Sequence, residues 1–153
     1  MRMRIGLLLW LVLCAAVSQA LAQNLTPQQR QALLDYQLTL PGAEHLIAAM
    51  QEMTKYLVSL PDYQERVRKS ATMSAADRIA QIEADPKAAA ILKQNSLTAR
   101  DYLTGVPALR MALMAAQGAT APNIIASPAN VAFAKANLAQ LKPKMDAAVV
   151  ADR

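Results

Sequence analysis

The feature that most constrains this chain is a series of helix starts spread along its length. Thr26-Pro27-Gln28-Gln29 places a hydroxyl at the N-cap, proline at the first helical position and an amide at the third. Asp85-Pro86 and Ser127-Pro128 repeat the cap-plus-proline pattern. Ser74-Ala75-Ala76-Asp77 and Thr98-Ala99-Arg100-Asp101 place an acid at the third position, where the helix dipole favours it. These patterns predict a chain divided into many helices.

The residues between the starts support helices rather than strands. Apolar side chains recur at spacings of three and four, and no alternating run of strand length is present. Pro41 and Pro61 are expected to separate neighbouring helices or to kink one longer helix, Gly118 to stop a helix, and Pro143 to end the last. The sequence therefore predicts an all-α fold, a small bundle of five to seven helices, several of them short and separated by proline. The predicted helices cover residues 27–40, 43–58, 61–71, 75–84, 86–94, 99–117 and 128–142.

Residues 1–22 have the pattern of a secretory signal peptide. Arg2 and Arg4 precede an apolar run over residues 5–17, and Ala20-Leu21-Ala22 matches the small-x-small site of signal peptidase. The run is too short for a permanent membrane span, which needs about 20 residues. We expect cleavage between Ala22 and Gln23, with an uncleaved anchor as the alternative. The rest, residues 23–153, is expected to form a single helical domain whose C-terminal tail frays from about residue 144.

Cleavage would change the chemistry that the chain carries. Cys14 is the one cysteine, so residues 23–153 contain no thiol for a disulfide, a nucleophile or a metal site. Two basic residues and no acidic residue would leave with the signal peptide, so the net charge falls from +5 to +3. A basic stripe of the kind that binds nucleic acid is not evident. No membrane span is expected after cleavage, and a periplasmic or secreted location is predicted.

Leu25-Thr26-Pro27-Gln28-Gln29 fits an L-T-x-x-Q pattern. This pattern resembles the one in a family of small helical periplasmic stress proteins, some of which act as ATP-independent chaperones. The resemblance covers about five residues, and a second copy at Leu97-Thr98-Ala99-Arg100-Asp101 has Asp where that family has Gln. It implies a chaperone-like binder of unfolded chains. The alternative is an ordinary hydrophobic staple and capping box.

The C-terminal third resembles small exported helical bacterial proteins of unassigned function. The similar segments are Leu97 to Tyr102 and Ser127 to Phe133. This resemblance implies a shared helical fold and no particular activity. Tyr102 and Phe133 are expected to be core aromatic residues, as large rings usually are.

Methionine is the one residue type that suggests a metal. Met50 with Met53, and Met111 with Met114, are two M-x-x-M pairs, and a spacing of three places both thioethers on one face of a helix. Soft sulfur ligands suit Cu(I), so a copper-binding function is an alternative prediction. The competing interpretation is that these side chains fill gaps in the core. His45 is expected to be a surface or partly buried polar residue rather than a ligand.

Catalytic patterns are not apparent. His45 has no surrounding nucleophile motif or second histidine at metal-ligand spacing, and there is no glycine-rich phosphate loop. Glu44, Glu52 and Glu83 would form an acid pair only through tertiary structure. We therefore predict an exported non-catalytic protein with no catalytic residues and no cofactor, which binds a protein or envelope partner through apolar helix surface. Neither the oligomeric state nor whether these surfaces close into a core follows from the sequence.

Overall fold

Seven α-helices and no strand are present in residues 25–150, the part of the chain that the computed structural model describes. The predicted all-α fold is confirmed. The predicted signal peptide with Cys14 and the Ala22–Gln23 bond lies outside the described residues, as do residues 151–153. The helices are α1 (Pro27–Asp35), α2 (Leu40–Val58), α3 (Tyr63–Thr72), α4 (Ala75–Ala84), α5 (Pro86–Gln94), α6 (Ala99–Ala116) and α7 (Pro128–Val150).

The predicted caps begin their helices as expected. Thr26 and Thr98 form reciprocal capping boxes with Gln29 and Asp101, in which each side chain accepts a hydrogen bond from the other residue's backbone N–H. The Asp85 carboxylate accepts hydrogen bonds from two backbone N–H groups at the start of α5. At the other end of a helix, Gly118 has a φ of 88° and closes α6 in a left-handed turn.

The predicted boundary between the first two helices was wrong. The predicted helix 27–40 ends at Asp35, and α2 begins at Leu40 instead of residue 43. Thr39 is the N-cap of α2, because its hydroxyl accepts a hydrogen bond from the Gly42 N–H. Pro41 therefore lies in the first turn of α2, where its missing N–H costs no helical hydrogen bond. Residues 36–39 form the link between the two helices.

The predicted end of the last helix at Pro143 was also wrong. α7 continues through Pro143 to Val150, so residues 144–150 are helical where a frayed tail was expected. Proline removes one N–H, which leaves the carbonyl four residues earlier without its helical partner. Both Pro143 and Ala139 are exposed, so water can hydrate that carbonyl. Burial of Leu141, Met145 and Ala148 on the opposite side stabilises the extension.

The long helices α2, α6 and α7 form the main core, and two of them run in the same direction. Asn130, near the start of α7, hydrogen-bonds to Tyr36, and Tyr36 lies against Gly105 in the first half of α6. The later residues Leu113 of α6 and Met145 of α7 line one groove. α6 and α7 are therefore parallel, and residues 117–127 must return along the molecule to join them.

The antiparallel member of this trio is α2, and it also connects two parts of the core. Leu46 lies beside Gly105, while Met53 shares a cluster with Ala99 at the start of α6. The main cluster is formed by α2, α6 and α7, the second by α2, α5 and the start of α6, and a third small cluster surrounds Leu33 of α1. Tyr102 packs against the second cluster and Phe133 against the first, each partly buried. Burial raises the pKa of Tyr102 to about 12.

Gly105 of α6 lies close to Tyr36, in the link after α1, and to Leu46 of α2. A Cβ atom there would lie 2.6 Å from the Tyr36 hydroxyl oxygen and 2.8 Å from Cδ1 of Leu46. Both distances are too short for real atoms, so a larger residue would require the Tyr36 ring and the end of the Leu46 side chain to move. Gly105 therefore sets how closely the link after α1 can approach α6.

A buried asparagine fixes the link between α1 and α2. The Asn130 side chain is 3 % exposed; its Oδ1 accepts a hydrogen bond from Leu38 N–H at 3.1 Å, and its Nδ2 donates to the Tyr36 carbonyl at 2.7 Å. These bonds join backbone groups more than 90 positions away in the chain. Asn130 thereby satisfies a donor and an acceptor that no helix satisfies, since residues 36–39 are not helical.

α3 lies at the surface of the fold. Like α4, it has no buried residue, and its Arg66 forms an i,i+4 ion pair with Asp62 at 2.9 Å. Glu65 and Lys69 have the same i,i+4 spacing but are not among the ion pairs of residues 25–150. α3 is therefore a solvated helix that adds little to the core.

We predict that Asn130→Ala lowers the free energy of unfolding by about 2–4 kcal/mol, because it leaves the Leu38 N–H and the Tyr36 carbonyl without partners. Urea unfolding followed by circular dichroism measures the change. Asn137→Ala in the same helix is the matched control, since Asn137 bonds only to the Phe133 carbonyl one turn away. We expect that control to change stability by less than about 0.5 kcal/mol. Equal losses in the two variants would contradict the role of Asn130.

Candidate binding groove

An open groove lies between the second halves of the parallel helices α6 and α7. Its volume is about 350 Å³. Each helix contributes residues over a span of seven positions, so the groove is about 10 Å long at 1.5 Å per residue. It is lined by Arg110, Leu113, Met114, Gln117, Lys142, Met145, Asp146 and Val149.

The floor of the groove is core and its walls are exposed apolar side chains. Leu113 and Met145 are buried members of the main cluster. Met114 is 40 % exposed and Val149 is 49 % exposed, although both are large hydrophobic residues. Within the described chain, Leu34, Val58 and Val67 are comparably exposed, but they do not line this groove. The groove thus forms a continuous apolar surface, whereas an isolated exposed apolar residue does not.

Charged groups form the rim. Lys142 forms an ion pair with Asp146 one turn further along α7. Arg110 lies on the opposite wall, is exposed, and has no ion pair or side-chain hydrogen bond within residues 25–150. The groove therefore presents an unpaired cation on α6 and a partly engaged carboxylate on α7.

The four methionines proposed as copper ligands have different surroundings. Met53 is buried in the second cluster, while Met50 packs against the first. Met111 packs against the third cluster, and Met114 faces the groove. The two members of each pair therefore pack in different places, and three of the four side chains contribute to the core. This arrangement favours the core interpretation of Met50, Met53 and Met111.

Of the polar residues weighed as catalytic candidates, His45 is exposed to solvent on α2 and Glu44 is hydrogen-bonded to a neighbouring helix. The Glu44 carboxylate accepts hydrogen bonds from Lys144 and Gln140 of α7, and the Lys144 bond is the main reason why its pKa is lowered. Among residues 25–150, no group of three or more His, Cys, Asp or Glu side chains is placed to hold a metal ion. Glu44 instead connects α2 to α7.

A second, more polar groove lies between α2 and α5, with a volume of about 360 Å³. Tyr56 in this groove donates its hydroxyl hydrogen bond to Asp85, with distances of 2.8 and 3.0 Å to the two carboxylate oxygens. Burial opposes the charged form of Asp85, but the Ala88 N–H, the Tyr56 hydroxyl and other donors keep the pKa of Asp85 below its usual value. Asp85 thus caps α5 and holds the Tyr56 hydroxyl.

Comparisons of the chain with protein-family models, with curated proteins and with solved structures find no match. The two family resemblances therefore stay predictions. The capping box at Thr26 and Gln29 gives the L-T-x-x-Q residues a structural role, and Leu25 packs against the third cluster. None of the helices in residues 25–150 is long and apolar enough to cross a membrane.

The sequence did not predict the groove as a site, although part of the pattern was visible. Met114 is recognisable in the sequence as half of an M-x-x-M pair, but no local pattern marks Arg110 or Val149 as residues of a site. The apolar spacing Leu141, Met145, Ala148 continues beyond Pro143 and indicates the longer helix. The parallel pairing of α6 and α7, which creates the groove, depends on a long return connection that has no local pattern.

Proposed function

We propose that this protein is an exported, non-catalytic binding protein that holds apolar segments of a partner polypeptide in the α6–α7 groove. The observation that carries the proposal is the exposure of Met114 and Val149 above a buried apolar floor. An apolar side chain placed between them would lose contact with water on several sides. Unpaired apolar surface of this kind is typical of protein interaction sites.

The size and make-up of the groove support a short, variable segment as the ligand. A length of about 10 Å corresponds to about two turns of helix or three residues of extended chain. Two of its lining residues, Met114 and Met145, are unbranched and flexible, and such side chains adapt to differently shaped partners. An unfolded or partly folded client chain offers segments of this type, so a chaperone-like role is the form of binding that we favour.

Export is part of the proposal and is supported by the order of residues 1–22. The basic start, the apolar run and the Ala20-Leu21-Ala22 site match what the secretory pathway recognises. With no thiol after cleavage, the protein would also be unaffected by thiol–disulfide exchange in the periplasm.

Replacing both Met114 and Val149 with lysine is expected to remove client protection, because the charged heads make burial of an apolar segment unfavourable. Each lost contact is worth about 1.5 kcal/mol, so apparent affinity should fall roughly tenfold or more. Light scattering of a chemically denatured client, mixed with an equimolar amount of the protein, measures protection.

Val67→Lys is the matched control for this experiment. Val67 is 46 % exposed, similar to the groove residues, but lies on α3 outside the groove. We expect it to leave protection unchanged, and circular dichroism verifies that all variants remain helical. Failure of the wild-type protein to slow aggregation, or an equal loss with Val67→Lys, would contradict the proposed function.

Mass spectrometry of the protein accumulated in its own cells tests export separately. We expect the mass of residues 23–153, recovered from the fraction outside the cytoplasm, because cleavage between Ala22 and Gln23 accompanies translocation. A change of Ala20 and Ala22 to bulky residues should leave a longer, membrane-associated precursor. Recovery of the uncleaved wild-type chain in the cytoplasm would contradict the export proposal.

A further inference from the structure

The charges on the rim point to a specific occupant of the groove when no client is present. α6 supplies Arg110, a cation without an ion pair among the described residues, and α7 supplies Asp146, whose side chain is 58 % exposed. Asp146 uses Oδ2 in its pair with Lys142, so its second oxygen is open to another donor. The groove thus carries an unmatched positive charge on the α6 wall and, on the α7 wall, a Lys142–Asp146 ion pair whose carboxylate is still accessible.

The end of α7 itself has the features that this groove would bind. It presents the exposed apolar side chain of Val149 and, three residues earlier on the same face, the carboxylate of Asp146. In a second copy of the chain, Val149 would supply the apolar contact for Met114 and Asp146 would supply the anion for Arg110. The α6–α7 groove therefore contains both members of a complementary pair of surfaces, one on α6 and the other on α7.

We propose that two copies of this protein associate through the α6–α7 groove, related by a twofold axis. In a twofold interface each contact occurs twice. Arg110 of each copy therefore pairs with Asp146 of the other copy, and Val149 of each copy covers Met114 of the other copy. This inference concerns the same groove as the proposed function but is based on its charges rather than on client binding. Dimerisation and client binding then exclude each other, and the dimer conceals the apolar surface until a client competes for it.

The groove is short, so the association is weak. Stable interfaces bury about 1,600 Å² in total, and smaller ones are typical of transient complexes. We therefore expect a reversible dimer with a dissociation constant weaker than about 1 µM, which is sensitive to ionic strength because its ion pairs lie at the rim.

A charge exchange tests the interface without relying on the loss of a fold. Arg110→Asp alone and Asp146→Arg alone each place like charges opposite one another in the dimer, so each should weaken association about tenfold or more. The double variant carries both exchanges in both copies, so it should restore association. Sedimentation velocity over a wide range of concentrations, on the protein in the form that accumulates in the cell, measures each dissociation constant.

Arg68→Asp is the matched control. It makes the same change in net charge at an exposed position of α3, outside the groove, and should leave the dissociation constant unchanged. A wild-type protein that stays monomeric at every concentration, a double variant that does not recover, or an equal effect of Arg68→Asp would overturn the proposal.

The client assay separates this inference from the proposed function. A monomeric wild-type protein whose client protection still depends on Met114 and Val149 overturns the dimer and leaves the binding function. If association recovers in the double charge-exchange variant but the protein gives no client protection, the dimer is supported and the proposed client-binding function is contradicted.

Discussion

The structure depends on the two hydrogen bonds by which Asn130 holds the link between α1 and α2. They set where α7 begins relative to Tyr36, and Tyr36 in turn rests against Gly105 of α6. From that fixed start, α7 follows α6 in the same direction and buries Leu141, Met145 and Ala148. A buried amide with both of its groups paired specifies one arrangement, because alternatives would leave backbone groups without partners.

The parallel pairing of α6 and α7 also explains why a groove is left open. Two antiparallel helices with a short connection would place the loop over their ends. Here the connection over residues 117–127 runs back along the molecule, where Ile125 packs with Leu33 and Ala108. The second halves of α6 and α7 therefore receive no cover on their outer side, and Met114 and Val149 stay in contact with solvent. The proposed binding function follows from this topology rather than from a catalytic group.

Much of the fold follows from local patterns in the sequence, whereas the groove does not. Caps at Thr26, Ser74, Asp85 and Thr98 follow from the sequence because capping involves residues two or three positions apart. The Thr39 cap and the extension beyond Pro143 were missed, although Thr39-Leu40-Pro41 and the apolar spacing after Leu141 indicate both. The partners of Asn130 lie more than 90 positions away, and the groove depends on which helices pair. An amphipathic stripe has the same spacing whether it faces a helix, a client or solvent.

Methyl NMR spectra of the methionines report whether the α6–α7 groove is a binding surface. Met114 and Met145 line the groove, whereas Met53 is buried in a different cluster and serves as an internal reference. On titration with a short apolar peptide, we expect the methyl signals of Met114 and Met145 to shift progressively while that of Met53 does not. Signals of Met114 and Met145 that stay unchanged at saturating peptide, or equal shifts at Met53, would contradict this expectation.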